Sequence, residues 1–96
     1  MQGYHPDGNK RKIHFHYLPL TIAEEEKEFK ELISVLESAG CKYIRNYMLP
    51  EYDIYEYDYG NGEFLIWRGV VIADEIYIYC EDAEVMSQLE ELFHVE

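Results

Sequence analysis

His14 and His16 stand two residues apart in a stretch where Ile13, Phe15 and Tyr17 alternate with polar positions. On a strand, an i, i+2 pair projects both imidazoles from one face about 7 Å apart at the backbone, a separation that zinc tolerates. A closed site needs a third donor, and His5, His94 or a carboxylate would have to supply it. Outward histidines on an edge strand explain the same two residues. Metal binding through His14 and His16 therefore stands as the alternative reading, and neither a metal nor any other cofactor is expected.

The acids carry less chemical information than their number suggests. Twenty Asp and Glu oppose eight Lys and Arg for a net charge of −12, so any fold brings several carboxylates together. Acid–base catalysis needs two carboxyls held apart in a cleft with separated pKa values, and a chain of 96 residues has little room for a deep one. No phosphate-binding glycine loop, nucleophile elbow or zinc-protease helix is present, so no catalytic residue is assigned and no enzyme is expected. Cys41 and Cys80 lack a CxxC spacing and read as buried, reduced thiols.

Charge distribution is more telling than charge count. Residues 1–50 hold seven acids against seven bases, whereas residues 51–96 hold thirteen acids against Arg68 alone. Ten of the fifteen aromatic residues are Tyr, and the acids are interleaved with Ile, Leu, Val and Trp67, which separates the chain from disordered acidic tails. The sequence shows no apolar run long enough for a signal peptide or a membrane span, so a cytoplasmic protein that engages no membrane is expected.

These side chains need elements to hold them. Residues 1–11, with Gly3, Pro6 and Asp7-Gly8-Asn9, read as a flexible, locally basic N-terminal arm, and residues 12–96 as one domain. Alternation predicts a first strand from Lys12 to Leu18, ended by Pro19. Thr21 and Glu24 have capping-box spacing ahead of a helix from Ile22 to Ala39, whose apolar stripe is Phe29, Leu32, Ile33, Leu36 and Ala39, and Gly40 stops it. Strands follow at Cys41–Leu49, Tyr52–Tyr59, Glu63–Arg68 and Glu75–Cys80, with Gly69 read as a bulge or break and a turn near Ala73-Asp74. Asp82 caps a last helix, Ala83–Phe93, with Val85, Met86, Leu89, Leu92 and Phe93 on one side. The order β-α-β-β-β-β-α predicts an α+β fold, a single mainly antiparallel sheet with two helices packed on one face.

The hairpin 52–68 decides what faces outward. A two-residue turn at Asn61-Gly62 pairs Tyr59 with Phe64, Tyr57 with Ile66 and Tyr55 with Arg68, leaving Ile54, Glu56, Asp58, Leu65 and Trp67 together on the opposite face. A three-residue turn instead places Trp67 and Leu65 with the tyrosines. Under the first pairing an indole and aliphatic groups are ringed by carboxylates, the composition of a protein-binding hot spot. Nucleic acid is disfavoured because Asp53, Glu56 and Asp58 repel phosphate and Lys10, Arg11 and Lys12 are too few to offset them. The expected function is a small acidic binding module without catalysis, of inhibitor or immunity type, that occupies a basic surface of a partner protein by charge mimicry. A homodimer formed through a sheet edge or the exposed face overlaps with that expectation.

Overall fold

A computed structural model describes residues 1–15, 20–70 and 75–96. Its sheet has five strands, all neighbours antiparallel, in the order β1-β5-β4-β3-β2. The strands are β1 (Lys12–His14), β2 (Lys42–Met48), β3 (Tyr52–Tyr59), β4 (Gly62–Gly69) and β5 (Ile76–Tyr79), and the helices are α1 (Ile22–Ser38) and α2 (Ala83–Leu92). The α+β order read from the sequence is the order observed. The expected continuation of the first strand through His16, Tyr17 and Leu18 to Pro19, and the turn at Ala73-Asp74, lie outside the described residues.

Both helices begin where their caps dictate. Thr21 accepts from the Glu24 backbone N–H while the Glu24 carboxylate accepts from the Thr21 N–H, a complete capping box. The hydrogen bonds to Thr21 lower the Glu24 carboxyl from its ordinary value. Asp82 accepts from Glu84 and Val85 at the start of α2. Phe29, Leu32 and Leu36 of α1 and Val85, Met86 and Leu89 of α2 are buried against Tyr57, Phe64, Ile66, Ile76 and Ile78 of the sheet. The helices thus seal one face. Among the described residues, the other carries no α-helix.

The β3–β4 hairpin turns one step earlier than expected. Tyr59 pairs with Gly62, so the two-residue turn is Gly60-Asn61, with Gly60 at φ 65° in the first central position. A glycine there supplies the positive φ that a type II′ turn needs, where the sequence reading had placed Asn-Gly. Every pairing moves by two residues, Tyr57 now facing Phe64 and Tyr55 facing Ile66. Because strand faces alternate with period two, a two-residue shift leaves the division of faces unchanged. Gly62 is freed for another duty: a Cβ there would lie 2.6 Å from Val85 and 2.8 Å from Asp82, so its lack of a side chain lets α2 start against the hairpin.

Residues 1–11, expected to be a flexible arm, have a defined course across the domain. Gly3 donates to the Phe93 carbonyl, and Tyr4 exchanges two backbone hydrogen bonds with His14. His5, with 5% of its side chain exposed, places Nδ1 2.8 Å from the Lys12 carbonyl and Nε2 2.6 Å from Glu90. A Cβ on Gly3 would overlap Ile13. Composition suggested looseness, whereas these tertiary hydrogen bonds join the segment to β1 and α2. Among the described residues, no helix is long and apolar enough to cross a membrane.

Candidate functional site

The helix-free face is built from two rows that cross all five strands. Successive pairings set Lys12, Tyr79, Leu65, Glu56 and Arg45 in one row, and His14, Tyr77, Trp67, Ile54 and Tyr47 in the next. The second row is aromatic at four of its five places, and Tyr4 extends it beyond His14. Alternation causes this directly. Ile76 and Ile78 point into the core, so Tyr77 and Tyr79 point out, and β4 does the same with Phe64 and Ile66 against Leu65 and Trp67.

The rings face one another more than they face solvent. Trp67 and Tyr77 are stacked at 5.9 Å and 6°, and His14 stacks on Tyr77 at 5.1 Å and 28°. Tyr52 closes edge-on against Trp67. A sugar or nucleobase needs an open ring face to stack on, and here the faces are occupied by neighbouring rings. What the row offers outward is ring edges and phenol oxygens. Trp67 is half-buried, and its buried indole N–H has no hydrogen-bond partner among the described residues.

Acids gather at the hairpin end of this face. Asp58 pairs with Glu63, next to the Glu56–Leu65 pair, and Glu56 is held by Arg45 at 2.7 Å. A depression of about 350 Å³ lies there, lined by Tyr47, Glu56, Glu63, Leu65, Tyr79 and Glu81 among others. A hydrogen bond with Glu56, reinforced by the charges of Glu56 and Asp58, pushes the Glu63 carboxyl above its ordinary value. Tyr79 is raised by its hydrogen bond to Glu81 at 2.7 Å, and Tyr77 by burial and then by Glu75. Tyr52, donating to Glu75, is pushed up to about 12, with that hydrogen bond as the leading cause and burial next.

All five residues proposed from the sequence, Ile54, Glu56, Asp58, Leu65 and Trp67, fall on this face. Their roles differ. Ile54 is 2% exposed and supports the surface from beneath, whereas Glu56, Asp58, Leu65 and Trp67 are half-buried and reach it. Sequence reasoning passed over Tyr52, Tyr77, Tyr79 and Glu63, although the Ile-Tyr-Ile-Tyr alternation of β5 was a signal for two of them. It also missed the pair Arg68 and Glu25 on the covered face.

His14 is sandwiched between Tyr4 and Tyr77, and His16 lies outside the described residues. Among the described residues, no group of three or more His, Cys, Asp or Glu side chains converges as a ligand set for a metal ion. Cys41 and Cys80 are buried free thiols, and burial, followed by the charge of Asp58, pushes the Cys41 thiol up to about 11. Searches of protein-family models, curated proteins and solved structures return no match to this chain.

Proposed function

We propose that this chain is a non-enzymatic binding module, of inhibitor or immunity type, whose helix-free sheet face occupies a basic surface of a partner protein. The observation that carries the reading is the juxtaposition of the aromatic pair Tyr77–Trp67 with Asp58, Glu63 and Glu81 at one end of the same face. Carboxylates steer a cationic partner in, and the ring edges and Leu65 supply an apolar centre that slows its departure. Nucleic acid and anionic membranes are disfavoured partners, since both would meet this acidic margin. Two buried free thiols suit a reducing compartment, which supports a cytoplasmic site of action.

The test is binding to the partner recovered from the native host, with the purified pair measured at low and high salt. Association should slow steeply with salt. Asp58→Lys with Glu63→Lys should slow association further while the fold is retained, and Trp67→Ala should act on dissociation and cost about 2 kcal/mol. A complex indifferent to salt, to the charge reversals and to Trp67→Ala would show that this face is not the interface.

A further inference from the structure

Seven large hydrophobic side chains remain exposed among the described residues, and five of them, Tyr43, Ile44, Tyr47, Met48 and Leu49, lie on or directly after β2. A sixth, Val70, is beside them, its N–H bonded to Glu51 in the turn that follows β2. β2 is also an edge of the sheet, with β3 on one side and no described strand on the other. We propose that this edge pairs antiparallel with the same edge of a second copy of the chain, joining two five-stranded sheets into one. The proposal concerns the sheet edge beside the acidic face, with which it shares Arg45 and Tyr47, and it does not depend on a basic partner.

The backbone orientation follows from the turn. Leu49 and Tyr52 exchange hydrogen bonds in both directions across Pro50-Glu51. In an antiparallel ladder such mutual pairs alternate with non-bonded ones, so Tyr47 with Ile54 and Arg45 with Glu56 are the next mutually bonded pairs. The N–H and C=O groups of Asn46 and Met48 consequently point away from β3, toward the open edge. The register shift between Tyr43 and Arg45 inserts Ile44 as a bulge, and Pro50 has no N–H, so the segment able to accept a strand is 45–49.

That segment is self-complementary about Tyr47. Asn46 and Met48 of one copy would bond Met48 and Asn46 of the other, the two Tyr47 rings would face each other, and each Arg45 would lie opposite a Leu49. No like charges meet. Residues 41–50 contain Lys42 and Arg45 and no acid, the reverse of the chain's overall balance. In this register the cations of the two copies are offset, each Arg45 facing Leu49, so a second copy pairs along the edge without setting like charges opposite one another. Five paired residues and their apolar neighbours make a small interface, so the dimer should be weak and concentration-dependent.

Sedimentation equilibrium on the full chain from about 1 µM to about 1 mM tests this. A dimer should appear within that range and strengthen with added salt, because two copies of charge −12 repel, whereas binding to a basic partner should weaken with salt. Amides of Asn46 and Met48 should gain hydrogen-exchange protection as concentration rises. Asn46→Pro removes an outward N–H that β3 does not use and should weaken the dimer about tenfold or more. Met48→Lys, which alters no backbone group, should do the same and decides the matter if Asn46→Pro impairs folding. A monomer throughout, or a dimer untouched by Met48→Lys and without added protection at Asn46 and Met48, would overturn the proposal.

Discussion

Arg68 donates two hydrogen bonds to Glu25, Nε to one carboxylate oxygen at 2.8 Å and Nη2 to the other at 2.7 Å, beneath the packed face of the sheet. Glu25 is 4% exposed, and the guanidinium lies 4.1 Å from the centroid of the Phe29 ring, one turn along α1. The hydrogen bonds from Arg68 to Glu25 raise the guanidinium pKa further, against the effect of burial, so the guanidinium stays charged. Removing one partner strands a buried charge. Arg68→Met should therefore destabilise by about 3 kcal/mol in urea unfolding, whereas Arg68→Met combined with Glu25→Leu should recover most of that loss. Additive costs from the two substitutions would contradict the pairing.

Leu36 of α1 and Leu89 of α2 are both fully buried, each against the same sheet face. Leu36→Ala and Leu89→Ala should each cost about 2 to 5 kcal/mol, because each loses burial and leaves a cavity that the packed sheet cannot fill. Denaturant midpoints check this, and changes within error for both would remove the helix-on-sheet core.

Tyrosines on both faces of the sheet make stability fall in alkali. Tyr52 is raised to about 12 in the folded state, and Tyr57, Tyr59, Tyr77 and Tyr79 are raised as well. A phenol whose folded pKa lies above its unfolded value of about 10 holds its proton more tightly when folded. Its contribution is fully present below pH about 10 and is lost as pH rises through the folded value. Urea midpoints should thus hold level on approach to pH about 10 and decline above it, with phenolate absorbance showing late-titrating groups. Tyr52→Phe should remove part of that decline.

Local chemistry was the most legible part of this chain. Thr21 with Glu24, Asp82, and the inward sequence Phe64, Ile66 and Ile76, Ile78 each state their role within a few residues, so element order and the division of faces follow from short-range pattern. The hairpin turn was misplaced because both Gly60-Asn61 and Asn61-Gly62 satisfy turn chemistry locally. Gly62 serves a tertiary need instead, since Val85 and Asp82 of the α2 start exclude a Cβ there. Glu25 was hidden for a similar reason. Its place four residues before Phe29 puts it on the apolar stripe, but its meaning depends on Arg68, 43 residues away. The aromatic row likewise exists only once five strands are ordered side by side, which no single segment encodes.

The C-terminus of α2 carries a conformational cost that can be removed. His94 follows the helix at φ 54°, a left-handed conformation that a side chain disfavours. It sits in a Schellman arrangement, with the Val95 N–H bonded to Glu90 and the His94 N–H to Glu91. The end of α1 has the same arrangement, Cys41 bonding Leu36 and Gly40 bonding Glu37, but there the left-handed residue is Gly40 at φ 91° with open space where a Cβ would stand. The two ends are thus a matched pair that differs in the residue bearing the strain. His94→Gly should raise stability by about 1 kcal/mol, and Gly40→Ala should lower it by about 1 kcal/mol, both read from urea midpoints with unchanged denaturant slope. Exposed His94 gives up little packing on substitution, so a loss of stability in His94→Gly would mean that the left-handed residue is stabilised by its side chain rather than tolerated in spite of it.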